Sequence, residues 1–566
     1  MQGMRRRQRS YFARLVILRF IPLLLSCLLL AGCVRPPKAP TVREPFWSWN
    51  RFTERRMAGH LANAAKAWDV WMNSNKSDSE RDRAEAEYEH ALKSVLKEWN
   101  ARQLPRTWET GSVFANGHGS YQIDLQPAPG NPQEISPLIL DRVRIAEEVH
   151  VGKHLDVTES GLGVPLVGEV SYSEKLARKY PLMPLNGGHL TLTALLEFQP
   201  KPKDSGQPRV AKLRLYNPLR QSTAQVERKK VALAANYSAA KKLALDDGFL
   251  HGFSLIGAFF PEKTVADSKL YRLDLHDPKR IPVVFVHGLM SDPHIWYECI
   301  NAIYADPALR ANYQPWYFLY PTGMGVPTTA NRLRESLNES RAKLDPENDD
   351  PGMNEMVLVG HSMGGLLSRM QVTDTGDRLW NAYFKRKPEQ LLLSDNTRDR
   401  LKKTLIFEKQ PYVKRLIFIA VPQRGSEMAD HGLVHRIATL IRLPIDSLLL
   451  ATEIITGNPD ALNQQVRDWG MFAFLSIGTL SPKHPFLHAL DELPIPVPHH
   501  SIIGQVGDKP LEDSSDRVVP YKSAHLKTGT EKIVPYWHCC TEEPEVIREV
   551  MKRLHEHLRK LGRTGD

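Results

Sequence analysis

Two apolar stripes at helical spacing open the ordered part of the chain: Met57, Leu61, Ala64, Ala65, Trp68, Trp71 and Met72, then Tyr88, Leu92, Val95 and Trp99. Between them Ser77-Asp78-Ser79-Glu80 has the spacing of a capping box and should start the second helix. Residues 51–105 therefore predict a helical hairpin. From about 110 to 265 the rhythm shortens to alternating runs, Ser120–Leu125, Arg142–Val149, Leu190–Phe198 and Val210–Tyr216, separated by Gly, Pro, Asn and Asp. This predicts a small β-rich accessory domain over 106–268, with its aromatic residues in the core. From 269 onward fully apolar strands alternate with helices. Strands are expected at Ile281–Val286, Trp316–Tyr320, Met356–Val359, Arg415–Val421, Ser501–Val506 and Glu531–Val534, and helices at 294–304, 328–344 and 545–560. Strands apolar on both faces need cover on both faces, so residues 269–566 read as an α/β domain with a mostly parallel sheet. Polar, helical 366–411 and Leu/Ile-rich 430–495 read as cap insertions. The run Leu433–Ile455 would serve either as a lid over an acyl pocket or as packing against the domain.

Charge adds a targeting signal. The chain of 566 residues has a formal charge of +11, but six arginines and no acid lie in residues 1–32, leaving about +5 on the rest. No basic stripe interleaved with aromatics is present, so a nucleic-acid partner is not expected. Arg5–Arg9 followed by apolar Leu15–Leu30 and Leu30-Ala31-Gly32-Cys33 has the order of an export signal. The cysteine directly after two small residues resembles the lipobox of bacterial lipoproteins. That resemblance implies cleavage after Gly32 and lipidation of Cys33, with residues 33–50 as a tether. The expected place is the bacterial cell envelope, on the outer membrane facing the periplasm, since no Asp follows the cysteine. Of the remaining cysteines, Cys299 could pair with Cys539 or Cys540, but free thiols are the preferred reading.

The chemistry sits in the last half. Gly360-His361-Ser362-Met363-Gly364 follows the apolar run Glu355–Val359 and precedes a helix. Glycines two positions either side of a serine let strand and helix approach closely enough for a tight turn to present its hydroxyl. Ser362 is thus the candidate nucleophile. The backbone amides of Met363 and of Leu289, in Val286-His287-Gly288-Leu289, are the candidate oxyanion hole. His287 reads as a brace for that loop. A supporting acid belongs after the strand 501–506, where Asp508, Glu512, Asp513 and Asp516 are candidates and Asp516 is preferred. The base belongs after the last strand, so His538 is preferred over His525, which precedes that strand. His431/His435 and His484/His488 have i, i+4 spacing but no accompanying acid or cysteine, so neither a metal nor a cofactor is expected.

Together these pieces resemble the α/β-hydrolase superfamily, in particular bacterial lipoprotein esterases and lipases of the triacylglycerol-lipase and inositol-deacylase branches. The resemblance covers roughly 270–560 and includes Trp296, Tyr320-Pro321-Thr322-Gly323, Ile419–Ser426 and Ser515-Asp516 with Val518-Val519-Pro520. It implies a serine hydrolase acting on acyl or lipid esters through Ser362, His538 and Asp516. A thioesterase, amidase or acyltransferase using the same groups, or a non-catalytic envelope lipoprotein, is the alternative. Two positions depart from the pattern: Gln423 stands where such proteins often carry His, and Trp537-His538-Cys539-Cys540 has a bulky residue before the base and two thiols after it.

Overall fold

The computed structural model describes residues 51–101, 111–117, 119–128, 140–151, 155–204, 206–246, 248–427 and 445–563. Cys33, the export segment, the tether and His431/His435 lie outside them, as do residues 430–444 of the Leu/Ile-rich insertion. Among the described residues no helix is long and apolar enough to cross a membrane.

The hairpin pairs α1 (Arg51–Met72) with α2 (Asp78–Ala101). The capping box closes reciprocally: Ser77 Oγ accepts from Glu80 N at 3.3 Å and Glu80 Oε2 accepts from Ser77 N at 3.0 Å. The hairpin lies on a six-stranded mixed sheet built from residues 112–216, and Trp68, Tyr88 and Leu92 share its core with Leu196 and Phe198. Two helices that the alternating pattern concealed, Ala239–Leu245 and Gly248–Phe259, follow this sheet.

The second sheet has seven strands: β1 (Lys269–Arg272), β2 (Ile281–Val286), β3 (Tyr313–Leu319), β4 (Met356–His361), β5 (Val413–Ile419), β6 (His499–Gly504) and β7 (Thr530–Val534). Their order is β1-β3-β2-β4-β5-β6-β7. Only β1 is antiparallel, and the rest form the parallel sheet expected from the strand–helix alternation. Helices cover both faces. On one side α3 (Val326–Leu344), α4 (Met363–Arg369) and the cap helices pack on Val284, Val286, Leu358 and Phe418. On the other side Tyr297–Ala305 and Pro544–Lys560 pack on Val283, Phe285 and Ile417. This second core continues into Val157, Tyr237 and Leu245, so apolar packing is unbroken across residue 268.

A buried polar cluster crosses the same junction. Lys241 pairs with Asp274, which also accepts from Tyr304, and Ser238 donates to Asn301 Oδ1 at 2.6 Å. A buried lysine is tolerated only with its charge paired.

Candidate active site

The sheet brings four distant stretches to the carboxyl ends of its strands. β4 is central, with Gly360 opposite Val286 of β2 and Phe418 of β5. Ser362 leaves it at φ 51°, ψ −127°, a conformation that costs a non-glycine residue about 1–3 kcal/mol unless its surroundings impose it. They do: Ser362 N donates to the Ile419 carbonyl at 2.9 Å, and Gly365 N donates back to the Ser362 carbonyl at 3.0 Å. The flanking glycines are required by contact. A Cβ on Gly360 would meet Gly365 Cα at 2.6 Å, and one on Gly364 would meet the Val286 carbonyl oxygen at 2.2 Å. The pentapeptide spacing is thus a record of α4 crossing β4 and β2 at van der Waals distance.

Ser362 Oγ lies 2.9 Å from His538 Nε2, and His538 Nδ1 lies 2.8 Å from Asp516 Oδ2. All three residues are buried. The other oxygen of Asp516, Oδ1, accepts from Val518 N at 2.8 Å and Val519 N at 2.6 Å. These two amides fix the rotation of the carboxylate, leaving Oδ2 for the imidazole. His538 N donates to the Asp516 carbonyl at 3.1 Å, so the loops after β6 and β7 are tied together by backbone as well as side chain. Met363 follows Ser362 directly, and Leu289 follows Gly288, where a Cβ would meet Ser362 Cβ at 2.9 Å; among the described residues the amides of Leu289 and Met363 donate to no protein acceptor. The arrangement can accept a proton from a serine hydroxyl, stabilise the resulting imidazolium, and offer two N–H groups to an oxyanion.

The other candidates separate cleanly. His525 binds Glu531 at 2.8 Å and the Tyr521 hydroxyl at 3.1 Å. His287 stacks on Tyr320 with ring centroids 4.3 Å apart and donates through Nδ1 to its neighbour's carbonyl at 3.1 Å, while the Tyr320 hydroxyl donates to the His287 carbonyl. Burial lowers His287 to about 4, so it braces the loop as a neutral ring. His484 spends Nδ1 on Phe486 N and Nε2 on the Ala473 carbonyl, which makes it a helix cap. Gln423 is buried and accepts from Arg369 of α4 at 2.9 Å. Trp537 is 54% exposed, so its size costs the histidine loop nothing. Cys299 and Cys540 are buried and free, and burial pushes both thiols up to about 12.

Three supports had no signal in the periodicity. His361 Nε2 lies 2.9 Å from the His538 carbonyl and pins the base loop to the end of β4; burial and the neighbouring His538 lower it to about 3. Thr322 Oγ1, at the exit of β3, accepts from Met290 N at 3.1 Å and fixes the loop that carries Leu289. Tyr320 does the same for its other end.

No family model matches the chain, and no curated protein matches it. Solved structures with a similar outline include the Bacillus licheniformis lipase BlEst2 in its propeptide form, at 16% identity and TM-score 0.27, over 49% of this chain and 50% of that one. The mature form of that lipase is 17% identical with TM-score 0.27, over 49% of this chain and 93% of its own. EstA from Clostridium botulinum is 12% identical with TM-score 0.31, over 55% and 97%. The chain thus spans half the length of the propeptide form and leaves about half of itself outside each likeness.

Proposed function

We propose that the protein is a membrane-tethered serine hydrolase that cleaves carboxylic esters of acyl or lipid type. The observation that carries the reading is the unbroken line of buried contacts from Ser362 Oγ through His538 to Asp516, 2.9 and 2.8 Å long. Ser362 Oγ attacks the ester carbonyl carbon as its proton passes to His538 Nε2. The carbonyl oxygen, now an oxyanion, takes the N–H groups of Leu289 and Met363, each worth about 3 kcal/mol in the barrier. Collapse of the intermediate expels the alcohol, which leaves with the proton from Nε2. A water then gives its proton to His538 and attacks the acyl-serine, releasing the acid and restoring the hydroxyl. Asp516 keeps the Nδ1 proton in place throughout.

The membrane part of the reading rests on Leu30-Ala31-Gly32-Cys33 alone. Acylation of Cys33 would leash the enzyme to the bacterial envelope, on the periplasmic face of the outer membrane. Two or more chains are needed for a stable anchor. Replacing Cys33 by Ser should release the protein from the membrane fraction. The catalytic part is tested with a panel of p-nitrophenyl esters of graded chain length, with thioester and anilide counterparts, on wild type and Ser362→Ala. Ester turnover that vanishes in Ser362→Ala supports it. Turnover that survives the substitution, or confined to thioesters or amides, overturns it.

A further inference from the structure

A cavity of about 370 Å³ opens between α3 and two cap helices, Asp395–Leu405 and Ile445–Gly457. None of Ser362, His538, Asp516, Leu289 or Met363 lines it. Its size lies within the range of ligand pockets, about 300–1,000 Å³. The lining divides by chemistry. Buried Phe384, Leu401 and Leu405 form an apolar floor, while Arg332, Arg400 and Lys403 stand partly or fully exposed around it. Among the described residues none of these three cations forms an ion pair. One acid, Glu335, shares the lining, and its carboxylate accepts from Asn331 at 3.0 Å.

A second observation points the same way. Arg334 is 7% exposed and donates to Asn331 Oδ1 and to the Lys403 carbonyl, each at 3.1 Å, and both of those residues line the cavity. Among the described residues its Nε and Nη2 have no hydrogen-bond acceptor, and no carboxylate pairs with it. Burial lowers it to about 10, yet it stays charged at neutral pH. Arg334 lies behind the lining with its guanidinium over the Phe407 ring, 3.4 Å from the centroid, and an anion in the adjoining cavity would add negative charge near a buried cation that forms no ion pair.

We propose that this cavity is a second ligand site, separate from Ser362, for a single-chain carboxylate: the head among Arg332, Arg400 and Lys403, the chain on Phe384, Leu401 and Leu405. Its wall adjoins the exit of β3. Val326 N donates to Thr479 Oγ1 at 3.2 Å and Ser476 N to the Gly323 carbonyl at 3.3 Å, next to the Thr322 hydroxyl that holds Met290.

The site is tested by calorimetric titration of the full chain with dodecanoate, dodecanol and butyrate. Dodecanoate should bind at least tenfold more tightly than the neutral alcohol or the short acid. Arg400→Glu with Lys403→Glu should weaken dodecanoate at least tenfold, at an unchanged melting temperature. Should the pair of substitutions lower the melting point, Lys403→Glu alone, at an exposed position, should still weaken binding severalfold. Equal binding of dodecanol, or binding indifferent to these charge reversals, overturns the proposal. Because binding is read directly, the result is independent of whether any ester is hydrolysed.

Discussion

Replacing Asp516 by Asn separates charge from shape at the one carboxylate that faces the imidazole. The two oxygens of Asp516 have different duties: Oδ1 takes two backbone amides at 2.8 and 2.6 Å, and Oδ2 takes His538 Nδ1 at 2.8 Å. An asparagine that kept its carbonyl on the Val518 and Val519 amides would turn its NH₂ toward Nδ1. That nitrogen would then have to accept, which moves the ring proton to Nε2, facing Ser362 Oγ, where it cannot receive another. The flipped amide would set NH₂ against two N–H groups and lose two hydrogen bonds, about 1 kcal/mol each. The first orientation therefore prevails, and the wrong tautomer is fixed by the protein itself. The expected cost is about 10³–10⁴ in kcat, or about 4–5.5 kcal/mol of barrier, with little change in KM. Initial rates on p-nitrophenyl butyrate across the chain's stable pH range measure it. A loss below tenfold, in protein with an unaltered melting curve, would refute the assignment of the carboxylate.

Other outcomes follow from the same packing and hydrogen bonds. Gly364→Ala sets a methyl 2.2 Å from the Val286 carbonyl oxygen, so stability should fall by about 1–3 kcal/mol and ester turnover with it; a normal melting temperature would contradict the packing. Lys241→Met leaves Asp274 charged and buried without its partner, an expected loss of about 3–5 kcal/mol in chemical denaturation. His287 and His361 are held neutral to about 4 and about 3 by burial, whereas the unfolded chain protonates its histidines near 6.5. The unfolded state therefore binds more protons below that pH, and stability is lost as pH falls from 6.5 toward 4, at up to about 1.4 kcal/mol per unit for each ring. Melting temperatures that rise or stay level over that interval would contradict it.

The legible parts of the site were those where sterics leave a trace in residue type. Gly360 and Gly364 mark the close crossing of α4 over β4 and β2, and the strand positions on either side located the stretches bearing Asp516 and His538. The supports were not legible, because nothing in His361, Thr322 or Tyr320 distinguishes a strand-end residue that braces a loop from one that does not. β1 escaped for a similar reason: Lys269-Leu270-Tyr271-Arg272 is short and half charged, and becomes a strand only by pairing with β3. The helices over 239–259 were concealed because their apolar faces bury against the seven-stranded sheet and its helices, which lie outside any local window. Gln423, which stands where similar proteins often carry His, accepts from Arg369, on a helix whose facing direction no local pattern reveals.

The central claim is that Ser362 is an activated hydroxyl, and the most direct measurement of it is labelling of the folded protein with a fluorophosphonate, followed by mass mapping of the adduct. One adduct is expected, on the peptide bearing Ser362, absent from Ser362→Ala and strongly slowed in His538→Ala. An unlabelled Ser362 in folded wild-type protein, or an adduct on another residue that persists in Ser362→Ala, would contradict it.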